Sequence, residues 1–292
     1  MYLATATMKT VEKRRMCPNC RAFITVTDRV CPYCDAQLGP RAVDMRASTL
    51  AASLLPRANL TSLIVLIVNV TFFILELIIS RTLGDAPLGT LDPRAAMLLG
   101  AEVPAFVHQG HWWSLITAGF LHAGFWHIAM NSWSLFILVT EVEQFYGTSR
   151  FIVAYIFSTF TGFWLAYTFA SSPMSLALGA SAAAFGMFGI MLAMALLHRS
   201  DPLAQAIRAH YGQWLILGLV LSFMPGVSLS AHVGGFVGGL IVGLAGGLPG
   251  LPNTPRELFW KALAAIALVV TIYAFYLDYL SFRLLAVQMS NT

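Results

Sequence analysis

Apolar positions gather into seven long runs, 60–80, 124–142, 151–172, 174–198, 212–230, 231–249 and 259–278. Each approaches the roughly 20 residues that a helix needs to cross a bilayer. The pattern predicts an all-α polytopic membrane protein. The first 55 residues carry no such run and hold all four cysteines, which predicts a separate small domain. The expected boundaries are a cysteine module at 1–40, a linker at 41–58, a six-helix membrane core at 59–250 and an additional C-terminal transmembrane helix within 251–292. The linker, with Pro40, Pro56 and "MRASTLAASLL", is expected to lie along the membrane surface. The opening "MYLATATMKTVEKRR" has no apolar core ahead of its basic cluster, so no cleavable signal peptide is expected.

Composition agrees with the pattern. The chain is 58% hydrophobic and 10% charged, against about 25% charge in soluble domains. Its mean hydropathy is +0.74. Lys13, Arg14, Arg15, Arg41, Arg46 and Arg57 precede the first run, Arg150 lies between the second and third, and Arg199 and Arg208 follow the fourth. Arg256 and Lys261 follow the sixth, whereas the long loop after the first has only Arg81 and Arg94 against Asp85, Asp92 and Glu102. The positive-inside bias then predicts a cytoplasmic N-terminus and, after seven crossings, an external C-terminus. The same bias explains the net charge of +4, so nucleic acid is not an expected partner.

"CPNC" at 17–20 and "CPYC" at 31–34 give two CxxC pairs ten residues apart. Cys17, Cys20, Cys31 and Cys34 can present four thiolates to one structural Zn2+ in a closed site with no open position for catalysis. A reducing cytoplasm argues against disulfides. The alternative is a set of redox-active or unliganded cysteines. Ribbons of this kind bind protein or nucleic acid or act as sensors, and a cytoplasmic protein partner is one expectation.

Polar residues within spans are costly and so are functional suspects. The stretch "FLHAGFWHIAMN" places His127 and Asn131 four apart on one helical face, with His122 five residues before His127. The fourth run carries Gly179, Ser181, Phe185, Gly186 and Gly189. In the sixth, His232 shares a stripe with Gly235, Gly239 and Gly243. Small residues let helices approach closely, near enough for a Ser181–His232 hydrogen bond of ~2.8 Å. Ordinary glycine-mediated packing explains the same stripe. No carboxylate is placed as a third member, since Glu141 and Glu143 fall at the far end of the second run and Glu76 has no evident role. A Ser–His pair here is therefore a dyad, unlike the usual triad.

The ordered set "HWWSLITAGFLHAGFWHIAMN", "EQFYGTSRF", "GASAAAFG" and "AHVGGFVGG" resembles the rhomboid family of intramembrane serine proteases over about Leu98 to Gly243. The resemblance implies a six-helix core, a cavity open to the outer face and one further C-terminal helix. It implies Ser181 as nucleophile and His232 as general base. It implies His127, Asn131 and the Ser181 N–H as oxyanion donors, with His122, Gly179 and Phe185 in support. Glu143 and Gly147 match a structural pair, and 81–111 matches the family's membrane-dipping first loop. The implied partners are the lipid bilayer and membrane-protein substrates cut within a transmembrane helix, with no cofactor for the chemistry. The expected setting is a bacterial inner membrane.

Two positions depart from the family pattern. Ser114 follows Trp113 where the family has arginine, and Ala182 follows Ser181 where it has glycine. The first is expected to loosen the first loop without removing chemistry, and the second to narrow the oxyanion hole or shift the backbone. The alternatives are a non-cleaving rhomboid-like binder of membrane proteins and a transporter or channel using His127, Asn131 and His232. The absence of inverted repeats counts against transport.

Overall fold

The computed structural model describes residues 14–17, 19–25, 28–38, 60–84, 91–251 and 253–290, with no side-chain description for 14, 15 and 283–290. The linker proposed at 41–58 and Lys13 of the opening basic cluster lie outside the described residues. The chain divides into two compact units, Met1–Arg57 and Ala58–Thr292.

The described residues of the first unit form two nearly identical knuckles beside a short hairpin. Strands β1 (Arg14–Met16) and β2 (Phe23–Thr25) pair antiparallel, with Arg15 opposite Ile24. In each knuckle the first cysteine receives a backbone bond from four residues on and donates one to five residues on. These are Arg21 N to Cys17 O at 2.9 Å and Cys17 N to Ala22 O at 2.9 Å, then Asp35 N to Cys31 O at 3.0 Å and Cys31 N to Ala36 O at 2.9 Å. Arg21 and Asp35 both take positive φ, 61° and 53°. "CPNCRA" and "CPYCDA" are thus one structural repeat used twice.

The second unit is helical. Helix α1 spans Leu60–Leu83. The first loop contains the short helices α2 (Pro93–Leu98), α3 (Pro104–His108) and α4 (Ser114–Thr117), the last running into a 3-10 turn at Ala118–Phe120. Helix α5 (Phe125–Thr168) breaks at Gly147, where φ 75° and ψ 161° are open to glycine and strained for other residues, so it supplies two crossings. Then come α6 (Ser181–Leu197), α7 (Pro202–Leu221), α8 (Leu229–Gly246) and α9 (Pro255–Ser290). Among the described residues, α1, α5, α8 and α9 are long and apolar enough to cross a membrane by length and composition.

Two boundaries differ from the hydrophobic pattern. The fourth run was expected from 174, yet α6 begins only at Ser181. Ala177 instead forms an isolated antiparallel bridge with Glu102 of the first loop, and Gly179 takes φ +128°. The fifth run was expected over 212–230, yet α7 begins ten residues earlier. Asp201 caps it by accepting from Leu203 N at 2.8 Å, and Pro202 fills the first helical position. It ends before Pro225 and Gly226, which turn the chain.

Helix α1 carries a polar stripe facing inward. Its buried residues are Ser62, Asn69, Glu76 and Ser80, while Leu63, Ile64, Ile67 and Ile74 are exposed. In lipid this arrangement is expected, because polar groups need protein partners and apolar ones do not. Ser62 Oγ donates to Glu143 Oε2 at 2.8 Å and Asn69 Nδ2 to Tyr155 Oη at 3.4 Å. Glu76 Oε2 accepts the His122 N–H at 2.9 Å, and Ser80 Oγ accepts the Asp92 N–H at 2.8 Å.

Helices α6 and α8 form the centre. A Cβ on Gly235 would strike the Ala182 carbonyl, one on Gly239 the Gly186 carbonyl, and one on Gly243 the Ala193 methyl. The predicted stripe therefore brings backbone against backbone, and α8 also packs against α5.

Candidate active site

Ser181 opens α6, so its N–H is one of the four at a helix start without an intrahelical acceptor. The dipole of the helix adds positive potential at the same point. His232 lies one turn into α8, whose start is capped by Ser228 Oγ accepting from Ala231 N at 3.2 Å. The glycine seam sets the two helices so close that Ser181 Oγ and His232 Nε2 stand 2.8 Å apart.

Phe185, one turn beyond Ser181, stacks on the His232 ring with centroids 4.1 Å apart and planes at 10°. The seat of Phe185 is made by Gly218 of α7, where a Cβ would lie 2.8 Å from Phe185 Cζ. The other ring nitrogen of His232, Nδ1, is 2.5 Å from Ser222 Oγ at the end of α7.

His127, in the first turn of α5, accepts the Ala123 N–H at Nδ1 over 3.2 Å. An accepting Nδ1 leaves the proton of a neutral ring on Nε2. That Nε2–H points toward Gly179, where a Cβ would meet it at 2.8 Å and would meet Ser181 Oγ at 3.7 Å. The absence of a side chain at Gly179, together with its φ of +128°, is what lets the donor and the serine share one space. Asn131 donates one amide proton to the His127 carbonyl at 2.9 Å, along its own helix.

His122 precedes α5 and is fully buried, its ring 5.2 Å from that of His127. Neither of its ring nitrogens has a protein partner. The backbone of His122 is held by Glu76, a residue without evident role in the sequence pattern. The spacing 62, 69, 76 and 80 of polar residues in an apolar run is the signal that marks it. Ser222 and Gly218 carried no such signal, because each acts only through a neighbour on another helix.

The methyl of Ala182 does not enter this space. It packs into a buried apolar cluster with Leu115, Ala118 and Phe163, and it faces Gly162 of α5, where a Cβ would lie 2.7 Å away. The expected narrowing at Ala182 is therefore absent from the side chain's own position. Ser114 turns inward and donates to the His111 carbonyl at 2.8 Å. Its neighbour Trp113 faces Asp278 of α9 across a shared cleft.

The four cysteine sulfurs all lie within 4.8 Å of one another, with Cys17–Cys34 at 3.8 Å and Cys20–Cys31 at 3.6 Å. Tetrahedral bonds of ~2.3 Å to one ion require edges of about 3.8 Å, a length that the Cys17–Cys34 and Cys20–Cys31 pairs already have, so the donor set fits a four-thiolate metal site. The Cys20 N–H leads in holding the Cys17 thiol down at about 6, and the Ala36 N–H leads in lowering Cys34. The Ala22 N–H pulls Cys20 down as well, but burial and the neighbouring sulfurs push it up to about 12, and burial raises Cys31. Four sulfurs this close resist full ionisation without a cation.

The family model of the Rhomboid domain matches residues 109–248. The rhomboid relative YdcA of Bacillus subtilis is 34% identical over 138 residues, which cover 47% of this chain and 68% of the relative. The chain belongs to the rhomboid family. The rhomboid protease GluP of Bacillus subtilis is 31% identical over 192 residues, 65% of this chain and 36% of GluP, so the match spans about a third of that relative. Rhomboid-like protease 3 of Toxoplasma gondii is 29% identical over 212 residues, 70% of this chain and 78% of the relative. Membership accounts for the all-α polytopic fold, and the first loop, α4 and α5 through α8 all fall wholly or partly inside the matched region.

Proposed function

We propose that this rhomboid is an intramembrane serine endopeptidase that cuts transmembrane segments of membrane proteins near the outer face through a Ser181–His232 dyad. The observation that carries the reading is the 2.8 Å contact between Ser181 Oγ and His232 Nε2, beside the inward-pointing Nε2 of His127. A substrate helix unwinds near its outer end and presents a peptide bond to Ser181. The hydroxyl oxygen attacks the carbonyl carbon as its proton passes to His232 Nε2. The oxyanion is met by the Ser181 N–H, the His127 Nε2–H and the second amide proton of Asn131. Collapse breaks the C–N bond, and His232 returns the proton to the leaving amine. Water, admitted through the polar space around His122, then hydrolyses the acyl-enzyme.

The fluorophosphonate reaction tests this directly. The purified full-length chain labels with the probe, and Ser181→Ala abolishes the label. A wild type that stays unlabelled, or labelling that survives Ser181→Ala, overturns the reading. The first result returns the chain to the alternative of a non-cleaving binder of membrane proteins. Ectodomains shed by the wild type and retained in cells carrying Ser181→Ala identify the substrates.

The proposed setting is a bacterial inner membrane, with the N-terminus cytoplasmic, the C-terminus outside and the cavity facing outward. The domain bounds proposed are 1–40, 41–58, 59–250 and 251–292. We assign structural Zn2+ to Cys17, Cys20, Cys31 and Cys34, since sulfur softness and tetrahedral spacing favour it. Through these four thiolates the two knuckles would be tied together by the ion, with no part in peptide hydrolysis.

A further inference from the structure

We infer that Ser222 is the positioning residue for the His232 base, standing where a dyad leaves the imidazole without an orienting partner. The inference rests on the protease reading for its kinetic consequence, but the contact itself does not.

Three hydrogen bonds in series support it. Ser222 closes α7 and is buried, 2% exposed. Its Oγ lies 2.7 Å from the carbonyl of Gly218 one turn back, and 2.5 Å from His232 Nδ1. His232 Nε2 lies 2.8 Å from Ser181 Oγ. A hydroxyl has one proton and two lone pairs. The Gly218 carbonyl can only accept, so the Ser222 proton goes there. The Ser222 oxygen must then accept at Nδ1, and Nδ1 must carry the ring proton. Nε2 is left with a free lone pair aimed at the Ser181 hydroxyl, which is the tautomer a general base needs.

The reverse arrangement fails on the same geometry. Were Ser222 to donate to Nδ1, its oxygen and the Gly218 oxygen would face each other at 2.7 Å with no proton between them. The ring proton would move to Nε2, and Ser181 would lose its acceptor. The i−4 carbonyl therefore sets the direction of the whole chain. It is a backbone group, so it does this without a charge, in a place where a buried carboxylate is costly. When His232 takes the Ser181 proton, the imidazolium is positive at both nitrogens. The Ser222 oxygen, with its own proton turned away to Gly218, presents a lone pair to Nδ1–H.

The test compares the full-length chain with Ser222→Ala and Ser222→Thr, and reads two quantities. The first is the tautomer of His232, from the 15N shifts of histidine-labelled protein, the signal being assigned by its loss in His232→Gln. The second is the rate of fluorophosphonate labelling, with kcat and KM on a transmembrane substrate. The wild type is expected to show the proton on Nδ1. Ser222→Ala loses that preference and labels about tenfold more slowly, the worth of one hydrogen bond, with kcat reduced and KM unchanged. Ser222→Thr, which keeps the hydroxyl, restores both readings.

A wild-type His232 protonated on Nε2 overturns the inference, as does a Ser222→Ala chain that labels at the wild-type rate. A wild type with Nδ1–H that shifts in Ser222→Ala, but with no labelling at all, upholds the contact and overturns the protease reading instead.

Discussion

Ala182 turns its methyl onto the bare Cα of Gly162, in the second half of α5. The residue that follows the serine is thus paired with a vacancy on a different helix, 20 positions back along the chain. A Cβ at Gly162 would lie 2.7 Å from the Ala182 methyl and equally close to the Ala231 carbonyl. Gly162→Ala is therefore expected to overpack the junction of α5, α6 and α8 and destabilise the protein by about 1–3 kcal/mol. Ala182→Gly is expected to leave labelling within a few-fold of wild type, since the methyl stands clear of the serine. Thermal unfolding in detergent and labelling rates check both.

The stacking of Phe185 on His232 depends on Gly218 as a seat. Gly218→Ala puts a carbon 2.8 Å from the ring edge of Phe185 and is expected to displace the ring. The outcome is slower fluorophosphonate labelling with the serine intact. Gly212, on the same helix with open space around its Cα, is the control: Gly212→Ala is expected to change nothing.

Arg150 and Glu257 meet through two bonds of 2.7 and 2.8 Å, and the guanidinium lies over the Trp260 ring at 5.2 Å. Glu257 also accepts from Gly250 N at 2.9 Å. These contacts bind the start of α9 to the second half of α5. Arg150→Leu removes the two-bond partner of the carboxylate, leaving it Arg256 and the Gly250 N–H, and is expected to lower the unfolding midpoint. The double change Arg150→Leu with Glu257→Leu is expected to cost less than Arg150→Leu alone. Unfolding midpoints of the two variants decide it.

Asp278, near the other end of α9, packs 2.8 Å from where a Gly100 Cβ would be. With Trp113, His111 and Ser114 it lines a cleft of about 280 Å3 at the first loop. The extra helix thus holds a loop that, by family pattern, an arginine at position 114 would anchor. Asp278→Ala is expected to raise hydrogen exchange across 97–114, while Ser114→Ala, which loses only a bond to the His111 carbonyl, changes it less.

The cysteine knuckles are expected to hold one metal per chain. Cys17→Ser with Cys31→Ser removes the first ligand of each knuckle, and elemental analysis should fall by about one zinc. Chelation of the wild type should free thiols to a colorimetric reagent. Unchanged zinc in the double variant rejects the site.

Several features were legible in the chain because their cause is local or periodic. Apolar runs of bilayer length, the paired CxxC spacing and the Gly235–Gly239–Gly243 stripe beside His232 each state a physical requirement within one segment. The stripe implied close approach, and backbone contact between α6 and α8 follows from it. Run length alone could not show where α6 begins. Residues 174–180 are apolar enough for a helix, but Ala177 pairs with Glu102 and Gly179 turns to make room for His127.

What the tertiary structure alone decided is which groups meet across helices. Ser222 reads as an ordinary serine after an apolar helix until α7 and α8 set it against His232. Ala182 reads as an obstruction until α5 offers Gly162. Glu76 reads as a stray charge until the chain ahead of α5 brings the His122 N–H to it. Hydropathy specifies that a segment is buried in lipid, but a polar group in lipid must find its partner on another segment. That partner is set by helix rotation and packing, which no single stretch of sequence contains.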